Sequence, residues 1–224
     1  MFRTAFPFFV SCFFVIIASL AYSQRAAAAV DLDEEEYRIY CGYLDELERP
    51  EMQKLKGSAR DKKIAQKAKV KPAVLAAAIG KGEKVGSTCA EIGKRVEVDA
   101  KLAVEGAVTR ARVVVFNFDY SDPGHVVAQV TWLGLDKKKV LEEASRLSSA
   151  LANDAKIVKT IAIRAVDPAS SDKLADEAMW WEAKITRAQA ARIDKAKIPD
   201  YAQTRYVRLF DGCKTTIEEG CLHK

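Results

Sequence analysis

The side chains best suited to acid–base or metal chemistry cluster at one predicted turn. Asp119 and Asp122 lie just before His125, around the turn-forming run Ser121-Asp122-Pro123-Gly124. A carboxylate beside an imidazole can act as a general base or hold a metal ion, although a transition-metal site usually needs about three or four ligands. A plain turn followed by a solvated histidine is the favoured interpretation. An exported hydrolase or metal-dependent enzyme that uses Asp119, Asp122 and His125 is the alternative.

The sequence contains none of the short motifs that mark a catalytic nucleophile or a zinc site. Gly-x-Ser-x-Gly, His-Glu-x-x-His and Cys-x-x-Cys are all absent. The glycine-rich run 80–88 also lacks the glycine that a phosphate-binding loop carries ahead of its Gly-Lys-[Ser/Thr]. We therefore predict no catalytic residue, no metal site and no cofactor, and we expect a non-enzymatic binding or structural protein.

A second group of side chains is suited to binding an anionic surface. Residues 54–71 carry eight basic side chains and one acidic residue, Asp61. The basic residues are Lys54, Lys56, Arg60, Lys62, Lys63, Lys67, Lys69 and Lys71. Each of them can contribute about 1 kcal/mol near an anionic membrane at low screening, so phospholipid headgroups, lipopolysaccharide or wall polymer are candidate ligands. The chain as a whole is only mildly basic, with a formal net charge of +5, and a solvated surface is the alternative.

Part of this basic tract has the spacing of a known DNA-binding motif. Residues 64–79 resemble the helix-turn-helix of bacterial repressors in their small and apolar positions. The resemblance implies duplex DNA as a ligand of the neighbouring basic side chains. The sequence departs from that family at Lys69, where glycine is usual, and its second helix is mostly alanine, which cannot read base edges. We expect no nucleic-acid partner, and DNA binding stays a third hypothesis.

Two adjacent tryptophans are candidates for a partner contact. Trp180 and Trp181 fall in residues 173–195, for which we predict a helix. Adjacent side chains on a helix point about 100° apart, so the two indoles cannot share one narrow buried stripe. One of them is therefore expected at a rim, where tryptophan is enriched in binding hot spots. Packing of both indoles against a sheet edge is the alternative.

The first residues predict the compartment. Residues 4–24 are uncharged, rich in phenylalanine and flanked by Arg3 and Arg25, which is typical of a secretory signal peptide within residues 1–29. An uncleaved anchor is the alternative, because about 20 apolar residues cross a bilayer. We expect a periplasmic or secreted protein, or one anchored in the inner membrane with its bulk outside the cytoplasm. Its partner is then another envelope protein or an anionic envelope surface, with membrane contact possible through the N-terminal segment.

Four cysteines follow this leader, and an even number in an exported chain indicates two disulfides. Three pairings are formally possible. We favour Cys213 with Cys221, because glycines flank the short polar loop between them. That choice leaves Cys41 to pair with Cys89 and to tie two helical segments together.

The remaining pattern predicts an α+β fold with an N-terminal helical region, residues 30–106, and an α+β sandwich, residues 107–224. In the first region Thr88 and Glu91 form a capping box, and an alanine-rich helix from Pro72 is expected to stop at Gly80. In the second region we expect the order ββαβαβ, a mixed sheet with its helices on one face. The expected strands are 112–120, 125–133, 157–166 and 204–210, and the expected helices are 136–151 and 173–195.

Overall fold

The computed structural model describes residues 30–217 and 220–221. The predicted leader, residues 1–29, lies outside them, as does His223. Within the described part of the chain, none of the helices combines the length and the hydropathy that crossing a membrane requires.

The first half of the described chain is helical, as predicted. Its helices are α1 (Glu34–Leu47), α2 (Pro50–Gln53), α3 (Gly57–Lys67), α4 (Pro72–Val85) and α5 (Cys89–Ala107). Capping boxes begin α1, where Asp33 pairs with Glu36, and α5, where Thr88 pairs with Glu91. These caps satisfy amide groups that have no partner inside the helix, which determines where both helices start.

Helix α4 is longer than the sequence predicts. It continues past Gly80 and ends at Val85, with Gly86 as an extended C-cap residue. Gly82 is buried against the ring of Tyr40 on α1, where a β-carbon would lie 2.6 Å from the Tyr40 Cε1 atom. The glycine therefore permits a close helix contact, and the packing energy of that contact outweighs its poor helix propensity.

The second half forms a five-stranded mixed sheet with the order β1-β2-β3-β4-β5. The strands are β1 (Val113–Asp119), β2 (Val127–Leu133), β3 (Thr160–Val166), β4 (Met179–Thr186) and β5 (Asp211–Thr215). β2 and β3 are parallel and are joined through α6 (Val140–Asp154), whereas the other neighbouring pairs are antiparallel. The predicted hairpin, crossover helix and mixed sheet are confirmed, and so is the α+β class.

The last part of the predicted element order is wrong. The expected helix 173–195 is replaced by β4 and a short helix α7 (Arg187–Ala190). The expected strand 204–210 consists of helical turns that continue α8 (Ile198–Tyr201), and the final strand comes later, at β5. The reason is that β4 fills the position between β3 and β5, so that its backbone groups are paired on both sides.

The core lies on one face of the sheet. Alternate residues of the three central strands are buried there: Ala128, Val130, Trp132, Ile161, Ile163, Ala165, Trp181, Ala183 and Ile185. Leu147 and Leu151 of α6 belong to the same core. The opposite face is polar, with Gln129 and Lys184 exposed and with Arg164 3.9 Å from Glu182. The helices thus cover one face, as expected.

A buried ion pair joins the sheet to α6. The Nη2 atom of Arg112 lies 2.7 Å from one carboxylate oxygen of Glu143 and 2.8 Å from the other. The Trp132 indole N–H donates to the same carboxylate at 2.8 Å, and Arg112 also donates to the carbonyl of Leu133. Because both charged side chains are mostly buried, the carboxylate stabilises the start of β1 against α6.

Both predicted disulfides are present, which is compatible with an exported protein. Cys41 bonds to Cys89 with their Cα atoms 5.6 Å apart, and this bond joins α1 to the first residue of α5. Cys213 bonds to Cys221 with a Cα separation of 6.0 Å and closes the loop after β5. Beside the first disulfide, the Tyr37 hydroxyl donates to the Cys89 carbonyl at 3.0 Å. Burial raises the pKa of Tyr37 to about 12.

Candidate functional site

The basic tract is carried by α2, α3 and the turns around them. Lys54 follows α2, Lys56 precedes α3, and Lys71 precedes α4. The apolar residues between them point inward: Met52, Ile64, Ala65 and Leu75 are buried. Because these side chains occupy the core, the basic residues on the same elements are left on the outside.

Two of the eight basic residues, Arg60 and Lys67, form ion pairs with neighbouring carboxylates. Lys67 lies 2.7 Å from Glu46 of α1 and 3.6 Å from Glu51. Arg60 lies 3.5 Å from Asp61 and also donates to the hydroxyl of Tyr43. Exposed or half-exposed pairs of this kind contribute little to stability. The contacts of Lys67 with Glu46 and of Arg60 with Tyr43 do, however, link α3 to α1.

The other six are exposed and unpaired in the part of the chain that the structure describes. No described carboxylate lies within 4.0 Å of their ammonium groups. These residues, which we call the cationic surface, are Lys54, Lys56, Lys62, Lys63, Lys69 and Lys71. Uncompensated positive charges on consecutive elements raise the local potential and attract polyanions, an effect that salt screens.

Helices α3 and α4 are joined by the four residues 68–71. Lys69 adopts a left-handed conformation, with φ of 55°, and its N–H donates to the Gln66 carbonyl at 3.1 Å. That conformation costs a residue with a β-carbon about 1–2 kcal/mol relative to the right-handed one. Lysine thus stands where glycine would be easier, which adds a cation directly before α4.

From position 73 to position 80, the outer side of α4 carries no group that could read a base edge. Ala73, Ala76, Ala77 and Gly80 are all exposed, and Val74 keeps 41% of its surface in solvent. Base-edge recognition needs hydrogen-bonding side chains such as arginine, asparagine or glutamine. Residues 73–80 therefore lack the side chains with which a recognition helix reads bases. This apolar face was not expected from the sequence, although the alanine-rich pattern of α4 was the available signal.

The hairpin tip does not bring its three candidate residues together. The Asp119 carboxylate accepts a hydrogen bond from the Ser121 hydroxyl at 2.6 Å, which lowers the pKa of Asp119. The Asp122 carboxylate accepts the Gly124 N–H at 2.8 Å. The His125 side chain is exposed and makes no hydrogen bond with either carboxylate. Over residues 30–217, no three histidine, cysteine or acidic side chains are grouped as metal ligands.

The two tryptophans lie on a strand rather than on a helix, so they point to opposite faces of the sheet. Trp181 is fully buried, packs edge-on against Phe210 and donates its indole N–H to the Gly220 carbonyl at 2.7 Å. Trp180 is half-buried beneath Lys137, whose ammonium lies 5.1 Å from the centre of a Trp180 ring. Contact of either indole with a partner stays a prediction.

A shallow cavity lies between α5 and α6. Its volume is about 200 Å³, and its lining includes Ala103, Gly106, Arg146 and Lys195. Sites for small molecules are usually larger, at about 300–1,000 Å³.

Comparisons of the chain with protein-family models, with curated proteins and with solved structures find no match.

Proposed function

We propose that this chain is an exported, non-enzymatic protein of a bacterial cell envelope that binds an anionic envelope surface. The observation that carries the proposal is the cationic surface, with six exposed basic side chains that have no carboxylate partner among the described residues. Elsewhere in the described residues several basic side chains do have carboxylate partners, as Lys156 has in Asp31 and Arg146 in Glu142.

Export is supported by two independent features. Residues 4–24 form an uncharged, phenylalanine-rich run between two arginines, which is the composition of a signal peptide or an anchor. The rest of the chain contains two disulfides, and disulfides persist mainly in oxidising compartments outside the cytoplasm. Envelope surfaces in such a compartment are rich in phosphate and carboxylate groups.

Binding to a soluble polyanion tests the electrostatic part of the proposal. The chain is expressed with its own leader, purified with both disulfides formed, and titrated with heparin at several salt concentrations. The test variant is the triple substitution Lys62→Gln, Lys63→Gln and Lys71→Gln. At about 1 kcal/mol per lysine at low salt, its affinity should fall on the order of 100-fold.

The matched control removes the same total charge elsewhere. It replaces three other exposed lysines by glutamine: Lys94, Lys101 and Lys184. This variant should keep its heparin affinity within about twofold of the wild type, because salt screens each charge beyond about 10 Å. Equal losses in the two triple variants would show that net charge alone matters. Absence of heparin binding at low salt would refute the proposal.

The compartment is tested by fractionation of cells with N-terminal sequencing and thiol counting. The expected result is a chain in the envelope fraction with no free thiol among its four mature cysteines. Recovery of the full-length chain from the cytosol with its leader intact and its thiols reduced would refute export. Duplex DNA would then become a serious candidate ligand.

A further inference from the structure

We propose that the anionic surface is a phospholipid bilayer and that α4 lies on it with its apolar outer side facing the lipid. This inference rests on the proposed function and identifies the ligand of the same cationic surface. It commits to one occupant, a membrane with anionic headgroups.

Polar and apolar residues are distributed unusually around α4. Leu75, Ala78 and Gly82 face the protein core, so the core already covers one side of the helix. A surface helix normally carries charged and polar residues on its other side. In α4 the exposed residues from position 73 to position 80 are all apolar: Ala73, Val74, Ala76, Ala77 and Gly80. We call these residues the apolar face of α4.

Basic side chains lie at both ends of this apolar face. Lys69 and Lys71 are exposed immediately before the helix, and Lys84 is exposed in its last turn. The only acidic residue of α4, Glu83, also lies in that last turn. Lysine side chains are long enough to reach headgroup phosphates while their methylene stems lie along apolar surface. Basic residues around an apolar helix face are the pattern of interfacial membrane binding.

A bilayer explains both features, whereas a soluble polyanion explains only one. A polysaccharide or a nucleic acid would contact the lysines and gain nothing from exposed alanine and valine. Lipid headgroups meet the lysines, and the acyl boundary below them removes the apolar face from water. Because alanine side chains are short, the helix is expected to insert shallowly and to bind reversibly.

The test uses vesicles of two compositions. Full-length mature protein with both disulfides formed is mixed with vesicles of phosphatidylcholine alone or of phosphatidylcholine with phosphatidylglycerol, and binding is measured by flotation. Binding is expected only to the vesicles that contain phosphatidylglycerol, and it should weaken with salt.

The decisive variant is Val74→Gln with Ala77→Gln, which makes the apolar face polar without changing charge. Its affinity for phosphatidylglycerol vesicles should fall on the order of tenfold, because apolar surface on two side chains no longer leaves water. Its heparin affinity should stay unchanged. The matched control is Ala90→Gln with Val98→Gln, which changes the same residue types at exposed positions of α5, and it should bind both ligands like the wild type.

Each other outcome has a distinct meaning. Binding to heparin without binding to vesicles would overturn this inference and leave the proposed function intact. Vesicle binding that the Val74 and Ala77 substitutions do not change would show purely electrostatic attraction and would overturn the role of α4. Self-association that these substitutions abolish would assign the apolar face to a second copy of the chain. Failure to bind either ligand would overturn both proposals.

Discussion

Two glycines of α4 should respond to the same substitution with opposite signs. A β-carbon at Gly80 would meet no atom within 4 Å, whereas one at Gly82 would lie 2.6 Å from Cε1 of Tyr40 and closer still to two other ring atoms. Alanine is favoured over glycine inside a helix by about 1 kcal/mol. Gly80→Ala should therefore raise the free energy of unfolding by about 0.5–1 kcal/mol.

Gly82→Ala gains the same helix propensity but has to displace the ring of Tyr40. That ring is buried, and its hydroxyl donates to the Gly86 carbonyl at 3.3 Å. The next residue along α1 is held by the disulfide to Cys89, so the helix cannot easily move away. Overpacking of this kind costs about 1–3 kcal/mol and sometimes more. After subtraction of the propensity gain, the net destabilisation should be about 1–2 kcal/mol.

Urea denaturation followed by circular dichroism, with the disulfides intact, measures both variants. At unchanged slope, the midpoint should move up for Gly80→Ala and down for Gly82→Ala. In thermal unfolding, 1 kcal/mol corresponds to about 2–4 °C for a chain of this size. If both variants were stabilised to the same extent, Tyr40 would be free to move aside, and the close packing of α1 on α4 would not hold the helical region together.

Three further predictions concern a buried ion pair, a disulfide and a buried tyrosine. Glu143→Gln should lower the free energy of unfolding by about 2–4 kcal/mol, because it leaves Arg112 without a counter-charge and weakens the bond from Trp132; no change in urea midpoint would contradict this. Replacing both cysteines of the C-terminal disulfide by serine should cost about 2–3 kcal/mol. It should also shift tryptophan emission to the red as the Trp181 bond to the Gly220 carbonyl loosens, and an unshifted spectrum would argue against it. Burial raises the pKa of Tyr37 to about 12, whereas a tyrosine in an unfolded chain has a pKa of about 10. Tyr37 should therefore contribute stability that is complete below pH 10 and is lost as the pH rises to 12. An absorbance titration of the native protein in which every tyrosine ionises near pH 10 would refute this.

Local patterns predicted much of the helical region and of the hairpin. The Thr88 and Glu91 capping box gives the start of α5 directly, because a cap depends on residues within one turn. The hairpin between β1 and β2 follows from β-branched residues on either side of strong turn chemistry. The pairing of Cys213 with Cys221 could also be predicted from local sequence, because only eight positions separate the two residues.

The candidate site was predicted in composition but not in arrangement. The basic tract is visible in the sequence, yet the pairing of Lys67 with Glu46 depends on how α3 packs on α1. The apolar face of α4 was missed because an alanine-rich helix has no clear polar side from which to infer its orientation. The contacts of Leu75 and Ala78 with the core show which side faces outward.

What the sequence alone determined is what neighbouring residues settle among themselves: helix starts, the tight turn and the uncharged run of residues 4–24. Only the tertiary structure decided that residues 179–186 form β4 and that α4 passes through Gly80 and Gly82. In both places the local helix propensity pointed the other way. Backbone pairing with β3 and β5 outweighed it in the strand, and packing on Tyr40 outweighed it in the helix. Helix and strand propensities differ between residues by at most about 1 kcal/mol, and contacts with distant residues contribute more free energy than that.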